Sequence, residues 1–305
     1  IMWSAFRYGL LKVNSNLKFL IFLWIINLSF AAILTGPIYG LLKDSLFYNM
    51  KAEDLSLSFN FLWFIEFKYT YQEVLKSIPN VMIMVGIIFV LIQVFLMGGI
   101  YEIFNSDARK NHFIDYFYGC VRYFFRFFKV FLISLICYAG LYYLNVAYIQ
   151  YIDVLTQNTE SQLVLIIANS FRYLLIAALF GILGIIFDYV RVRIVVNQSY
   201  DTLEDLWLTF KFLIKNFWTV SSLFWFIAFI GLIIFLIYAL IDNLIDTNNY
   251  FTIILIIFIR QFYLIGKIWV KLLFASCQIE LYKEITSPTI EVTEVSEIDV
   301  PLKGV

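Results

Sequence analysis

The chain has few of the side chains that carry enzyme chemistry or bind metal ions. Its 305 residues include one histidine, His112, and three cysteines, and only 14% of the residues are charged. A zinc site takes three or four ligands, usually from cysteine, histidine or acidic residues, so this composition argues against a metal centre. No serine lies in a Gly-x-Ser-x-Gly context, and no glycine-rich phosphate-binding loop occurs. The sequence therefore predicts no catalytic residue, no metal, no cofactor and no enzyme activity.

An excess of positive charge is also missing. Lysine and arginine together number 22, and so do aspartate and glutamate, so nucleic-acid binding through bulk charge has no support. In contrast, 62% of the residues are hydrophobic, against about 45–50% in soluble globular domains. This composition predicts an integral membrane protein. Membrane lipids are therefore expected among its binding partners.

Six stretches are long and apolar enough to cross a membrane. The hydrocarbon core is about 30 Å thick and takes roughly 20 residues of helix. The sequence therefore predicts an all-α polytopic bundle of six transmembrane helices, formed by residues 1–285 and followed by an acidic tail, 286–305. Gly36 and Pro37 are expected to end the first span, and Pro79 to begin the second. The predicted spans lie near 17–35, 80–100, 127–149, 166–187, 218–241 and 250–274.

The distribution of basic residues predicts the orientation, because lysine and arginine in short loops stay on the cytoplasmic side. Basic residues precede the first span and follow spans two and four, whereas the loops after spans three and five carry acids and no base. Both termini are therefore expected on the cytoplasmic side of the membrane. Segment 36–80 is expected outside, with a short helix resting on the outer leaflet. The acids of the two outer loops are Asp153, Glu160, Asp242 and Asp246.

Three segments share a pattern of interleaved aromatic and basic residues directly before a span. Amphipathic helices of this kind lie in the membrane surface, with rings at headgroup depth and cations near anionic lipid. The pattern predicts a threefold repeat of a unit of about 100 residues, each an interfacial helix followed by a hairpin of two spans. These helices either only anchor the bundle or form a groove for a specific lipid or partner. The segments are 3–18 (WSAFRYGLLKVNSNLK), 115–129 (DYFYGCVRYFFRFFK) and 203–218 (LEDLWLTFKFLIKNFW).

Small side chains inside the spans predict where two helices approach each other closely. Gly98 with Gly99, and Gly181 with Gly184, have the spacing of such contacts. None of the three cysteines falls in a predicted outer loop, where an oxidant could pair them, so no disulfide is expected.

Charge enters the hydrocarbon region in the sixth span. Arg260 lies near its middle and Lys267 and Lys271 toward its inner end, although an arginine at mid-bilayer costs about 2.5–3.5 kcal/mol on insertion scales. Steps of seven and four residues place the three on one helix face, and Gln278 continues the row. This basic face predicts a path for an anionic headgroup, phosphate or carboxylate. In the alternative, the lysines snorkel to headgroups while a neighbouring glutamine, backbone carbonyls or an acid such as Asp188 hold Arg260.

The segment 289–305 combines acidic with β-branched residues. It carries four acids and one lysine, and it is too short and too polar to fold alone. Valine, isoleucine and threonine at this density suit an extended peptide that adds to the edge of a partner's sheet. The tail therefore predicts a protein partner in a membrane complex, and the alternative is a disordered extension.

Three stretches together resemble a known group: GGIYEIF at 98–104, FDYVRVRIVV at 187–196 and IRQFYLIGKIWVKLLFASCQIELYKE at 259–284. The chain is similar to a diverse group of bacterial six-span integral membrane proteins of unknown function, distantly similar to the membrane domain that accompanies some glycerophosphodiester phosphodiesterases. In those enzymes the hydrolytic domain is a separate soluble barrel with metal-binding residues, and nothing here corresponds to it. The resemblance therefore implies the six-span fold and no catalytic residue.

Two functions are consistent with these features. The first is a non-enzymatic subunit or scaffold of a membrane or envelope complex, which would use the interfacial helices and the tail to hold partners. The alternative is a transporter or lipid-handling protein for an anionic substrate, which would use the basic face of the sixth span. Inverted repeats and broken mid-membrane helices, which mark many transporters, are not evident.

Overall fold

A computed structural model describes residues 2–47, 55, 60–106, 112–156, 162–245 and 249–287. Two of the outer-loop acids, Glu160 and Asp246, and the tail residues 288–305 lie outside the described residues. The described residues form helices and no strand. The helices are α1 (Met2–Ser15), α2 (Leu17–Leu46), α3 (Phe61–Thr70), α4 (Gln72–Asn105), α5 (Phe113–Thr156), α6 (Gln162–Asn197), α7 (Thr202–Lys215), α8 (Phe217–Leu244) and α9 (Tyr250–Thr286).

Six of these helices, α2, α4, α5, α6, α8 and α9, are long and apolar enough to cross a membrane. The predicted all-α bundle with six transmembrane helices is therefore confirmed. The short helix α3 lies in the segment between the first two spans. Its N-terminus is capped by Asn60, whose Oδ1 accepts hydrogen bonds from the backbone N–H groups of Leu62 and Trp63, at 3.0 and 3.1 Å.

The prediction that prolines bound the first two spans is wrong. Pro37 lies inside α2 and Pro79 lies inside α4, and both helices continue through them. A proline inside a helix removes one hydrogen bond and crowds the preceding turn. Ending the helix inside hydrocarbon would leave several backbone groups without partners, which costs more. The two spans are consequently longer than the sequence suggests.

The interfacial helices of the first and third units are separate from the spans that follow. An asparagine divides each pair: Asn16 lies between α1 and α2, and Asn216 lies between α7 and α8. Each side-chain amide donates to a backbone carbonyl four residues earlier, at 2.9 Å to Lys12 and 3.0 Å to Phe212. A short amide that bonds the backbone competes with the regular helix, so the chain turns at these positions.

The second unit differs, because its interfacial segment and its span form one helix, α5. The predicted interfacial segment 115–129 is helical, and it continues into its span without a break. The sequence around Phe125, Arg126 and Phe127 offers no short amide at the position that corresponds to the asparagines of the other two units. Nothing there competes with the helical hydrogen bonds, and the helix continues.

Each interfacial segment packs on the end of the second span of the unit before it. Helix α1 packs on α9, the start of α5 packs on the end of α4, and α7 packs on α6. The first two contacts are close because glycine lies at each of them: a Cβ added to Gly9 would lie 2.5 Å from Cys277 Sγ, and one added to Gly119 would lie 3.1 Å from the carbonyl oxygen of Gly98. The three units are therefore linked in a ring.

An ion pair accompanies each of the three contacts. Its nitrogen and oxygen atoms are 2.5 Å apart in the first contact, 3.6 Å in the second and 3.0 Å in the third. In the third contact the acid comes from the interfacial helix and the base from the span, which reverses the order of the other two. The pairs are Lys12 with Glu280, Arg122 with Glu102, and Asp205 with Arg193.

Dense packing is confined to one half of the bundle, called here the packed half. It contains α1, α7, the first turns of α2 and α8, and the segments 96–104 of α4, 116–130 of α5, 187–195 of α6 and 272–282 of α9. Apart from Ile256, the buried hydrophobic side chains of the described residues lie in this half. The rest of the six spans, called the open half, has apolar side chains that are mostly exposed, as expected where lipid and not protein covers the helices.

Several glycines mark the same division, although Gly266, in the open half, lies close to α8: an added Cβ would lie 3.2 Å from Ile234 Cγ2. Gly98 and Gly99, in the packed half, lie against the backbone of α5, which confirms the predicted close contact. A Cβ added to Gly181 or Gly184 would have no atom of another helix within 4 Å, so the predicted contact there is wrong. Small side chains permit a close approach, but a neighbouring helix must also be present.

Candidate functional site

The second spans of the three units, α4, α6 and α9, contact one another. Beside them lies a cavity of about 1000 Å³, which α2, α5 and α8 also line. This volume is at the upper end of the range for small-molecule sites, roughly 300–1,000 Å³. Its lining residues on α9 extend from Gln261 to Gln278, about 25 Å along the helix axis. The cavity is therefore long enough to hold an elongated molecule.

The end of the cavity nearest the packed half is polar and basic. Lys267, Lys271 and Gln278 reach it from α9, and Asp188 and Arg191 reach it from α6. Arg191 Nη1 lies 2.9 Å from Asp188 Oδ1, one helical turn away. Lys271 is close enough to interact electrostatically with both members of this pair. The basic end therefore holds three cations and one carboxylate.

The two lysines differ from Arg191 in having no carboxylate of their own. Among the described residues, no acid lies within 4.0 Å of the ammonium group of Lys267 or Lys271. Both side chains are exposed and line the cavity, so two ammonium groups are available to a molecule inside it. Two like charges one helical turn apart repel each other, which favours an anion beside these groups.

Gln278 adds a polar group that is nearly inaccessible from outside. Its side chain is 3% exposed and lines the cavity, and its Oε1 has no hydrogen-bond partner. A buried amide oxygen without a partner costs about 1–3 kcal/mol. A donor on a bound molecule, or a rotation of the amide that presents its NH₂ group, would make use of this side chain.

Helix α2 closes one side of the cavity through two hydrogen bonds between side chains. Trp24 Nε1 donates to Gln261 Oε1 at 3.0 Å, and Gln93 Nε2 donates to Asn27 Oδ1 at 2.9 Å. These bonds join α2 to α9 and to α4. Beyond them the wall is apolar and includes Leu28, Ala31, Phe89, Val90 and Leu264.

The structure divides the predicted basic face. Lys267, Lys271 and Gln278 line the cavity, and Asp188 lies there with them, but Arg260 is not among the lining residues. Its side chain is 58% exposed, and its Nε lies 3.5 Å from Oδ1 of Asp242 on α8. Arg260 shares a helix face with the lysines, yet it lies about 10 Å further along the axis than Lys267. The spacing of residues along a helix shows which side chains share a face. It does not show which of them reach the cavity, because that depends on their position along the helix axis.

Several residues of the cavity were not predicted from the sequence. Asn27 and Gln93 are single amides inside apolar runs, and an amide buried in a span needs a partner. An amide inside an apolar run therefore indicates that its helix contacts a polar group on another helix. It does not identify the residue to which the amide is hydrogen-bonded. The contribution of Arg191 depends on the contact between α6 and α9, which no local pattern indicates.

Metal binding and thiol chemistry find no site in the described part of the chain. No three His, Cys, Asp or Glu side chains there lie close enough together to hold a metal ion. Cys120 and Cys277 are buried and Cys137 is half-buried, and all three are free thiols. The cysteines in the packed half fill space where helices meet.

Comparison with known proteins gives no match to this chain among family models, curated sequences or solved structures. The resemblance to bacterial six-span membrane proteins therefore stays a prediction.

Proposed function

We propose that this chain is a lipid-handling membrane protein that binds an anionic amphiphile in the cavity beside α4, α6 and α9. The observation that carries the proposal is the pair Lys267 and Lys271, which have no ion-pair partner among the described residues and lie at one end of a cavity with a largely apolar wall. An acidic headgroup would lie at the lysines, and its apolar chain would lie along the wall toward the open half.

The cost of charge in a membrane supports this assignment. A charged side chain inside a span costs up to about 2.5–3.5 kcal/mol, the value at the centre of the bilayer, and less toward the end of the span, where Lys267 and Lys271 lie. Two lysines one turn apart that lack acidic partners repel each other as well. An anion between them offsets both effects, and a soluble anion would leave most of the apolar wall exposed to water. An amphiphile has an anionic group for the basic end of the cavity and an apolar chain for its wall.

We propose further that the packed half faces the cytoplasm of a bacterial cell. Lysine and arginine concentrate there, which the positive-inside rule associates with the cytoplasmic side. A lipid with its headgroup at Lys271 and its chain toward the open half would have the orientation of the inner leaflet. The basic residues near that surface include Arg7, Lys12, Arg122, Arg126, Lys211 and Lys215.

The function that the sequence analysis gives first, a subunit or scaffold of a membrane complex, stays a prediction. Its main support is the tail segment 289–305, which lies outside the described residues. No contact among the described residues favours a protein partner over lipid. The interfacial helices α1 and α7 pack against the chain's own spans, which agrees with a role in holding the bundle together.

The test is lipid retention by the full chain with Lys267 and Lys271 both replaced by Gln. The wild type, purified in mild detergent, is expected to keep about one anionic lipid per chain. The double variant should keep at least about tenfold less, because a hydrogen bond to a charged group contributes about 1.5–3 kcal/mol. Mass spectrometry of the extracted lipids measures the ratio.

The matched control is Lys215→Gln, which removes one lysine from the exposed surface of α7 outside the cavity. It should retain lipid as the wild type does. Equal anionic lipid in the wild type and the double variant would contradict the proposal.

A further inference from the structure

We infer, on the basis of the proposed function, that the headgroup bound at the basic end is a phosphate monoester, a dianion. The chemistry required is a terminal phosphate carried on an apolar chain, which separates this class from phosphodiester and zwitterionic lipids. The inference depends on the balance of charge at the basic end, on the spacing of the lysines and on the length of the apolar wall.

The positive charges at the basic end of the cavity exceed the negative ones. Three cations and one carboxylate line the basic end, and the carboxylate of Asp188 is paired with Arg191 at 2.9 Å. Lys267 and Lys271 therefore leave two positive charges without compensation. A phosphate monoester carries about −1.5 to −2 at pH 7, whereas a phosphodiester carries one negative charge. Only the monoester neutralises both lysines.

The second step is the spacing of the donors. Lys267 and Lys271 are four residues apart on α9, so they lie on one face about 6 Å apart along the axis. Lysine side chains are long and flexible, and each ammonium group is a point charge with three donors. The two can therefore meet around the oxygens of one tetrahedral phosphate. The unpartnered Oε1 of Gln278 lines the same cavity and can accept a hydrogen bond from a hydroxyl group of the bound molecule.

The third step is the apolar wall, which distinguishes a lipid from free phosphate. From the lysines the cavity continues past Leu264 to Gln261 on α9, with Phe89 and Val90 on α4 and Leu28 on α2. Inorganic phosphate would contact none of these side chains. An acyl or prenyl chain would cover them and gain about 25 cal/mol for each Å² of apolar surface removed from water.

The experiment measures binding to the full chain in mild detergent by native mass spectrometry. The probes are phosphatidic acid, phosphatidylglycerol and phosphatidylcholine with identical acyl chains, and inorganic phosphate. Near pH 7.5, phosphatidic acid should bind about tenfold more tightly than phosphatidylglycerol, because one more charge is paired. Phosphatidylcholine and inorganic phosphate should bind weakly.

A change of pH tests the charge without a mutation. The second ionisation of a phosphate monoester has a pKa near 6, so the lipid loses about one charge by pH 5. The preference for phosphatidic acid should shrink at that pH, while binding of phosphatidylglycerol changes little.

Lys271→Gln, and separately Lys267→Gln, should abolish the preference at pH 7.5 and retain part of the binding to phosphatidylglycerol. Lys215→Gln should retain the preference.

The outcomes separate this inference from the proposed function. Equal binding of both anionic lipids at pH 7.5, with loss of both in the double lysine variant, would overturn the monoester and leave the anionic amphiphile in place. Binding of phosphatidylcholine as tight as that of either anionic lipid would overturn both. Inorganic phosphate that binds as tightly as phosphatidic acid would show that the apolar wall adds nothing, which also overturns the assignment to a lipid.

Discussion

The packed half and the open half are built from similarly apolar helices, yet only one of them has a protein core. In the packed half the interfacial segments cover the ends of α4, α6 and α9, and glycines let the backbones approach closely. In the open half, a Cβ added to Gly86 or Gly140 would have no atom of another helix within 4 Å. Hydrophobicity alone therefore does not pack helices in a membrane, because lipid tails are as apolar as the side chains.

The difference has a consequence for the cavity. Its basic end lies beside the packed half, where the helices are fixed by ion pairs and close contacts, and its apolar wall extends toward the open half. Groups that must recognise a charged headgroup benefit from a rigid support. Groups that cover an apolar chain need only approximate contact. The division of the bundle thus matches the two parts of an amphiphile.

The largest expected effect tests which half faces which side of the membrane. His112→Cys places an exposed thiol at the packed half, and Asn249→Cys places one at the opposite end. A thiol reagent that cannot cross membranes, added to intact cells, should modify Asn249→Cys and leave His112→Cys unmodified until the membrane is permeabilised. The native cysteines are Cys120 and Cys277, which are buried, and Cys137, which is half-buried inside a span, and the chain without a new cysteine gives their background labelling. Modification of His112→Cys in intact cells would reverse the proposed orientation.

The next effect concerns stability and compares one glycine in each half. A Cβ at Gly99 would lie 2.5 Å from the carbonyl oxygen of Tyr116 and 2.7 Å from Cys120 Sγ. Gly99→Leu should therefore lower the free energy of unfolding by about 3 kcal/mol, since overpacking of a close contact shifts backbone. Gly140→Leu meets open space and improves helix propensity, so it should leave stability unchanged or raise it by up to about 1 kcal/mol.

Thermal unfolding in mild detergent, followed by circular dichroism, measures both variants. Equal loss of stability in the two would mean that the open half is as closely packed as the other, and the comparison between the halves would fail.

The sequence was sufficient for features that depend on local composition. Six spans follow from apolar length, and the close contact at Gly98 and Gly99 follows from small side chains. The same rules failed where the outcome depends on a neighbour or on the solvent. Pro37 lies inside its helix because hydrocarbon penalises a broken backbone more than one missing hydrogen bond, and Gly184 lacks a neighbouring helix.

The candidate site shows the same limit. Helical spacing placed Lys267 and Lys271 together, since that depends on one helix alone. It also placed Arg260 with them, but the acid beside Arg260 comes from α8, and Arg191 reaches the cavity from α6. Contacts between helices far apart in sequence determine which charges meet, and a single sequence does not contain that information.

The smallest effects come from comparing one ion pair in each half. In the packed half, Lys12 Nζ lies 2.5 Å from Glu280 Oε1 and donates to the carbonyl oxygen of Phe104 at 2.9 Å, which joins α1 to α9 and α4. Its side chain is mostly buried, so Lys12→Met should cost about 2 kcal/mol of unfolding free energy, as for other hydrogen bonds to charged groups. The companion variant Glu280→Gln should recover part of that loss in the double variant, because it removes the carboxylate left without a partner.

Arg260 and Asp242, in the open half, are 3.5 Å apart, and the arginine side chain is 58% exposed. Arg260→Met leaves Asp242, near the end of α8, without its partner, but it also removes a charge that is costly inside a span. Because these effects oppose each other, the unfolding free energy should change by less than about 1 kcal/mol. It should also leave retention of anionic lipid at the wild-type level, because Arg260 does not line the cavity. Thermal unfolding and lipid extraction on the same preparations measure both quantities. Loss of bound lipid in Arg260→Met, with stability unchanged, would mean that the anion contacts the whole row from Arg260 to Lys271, and the basic end would then extend into the open half.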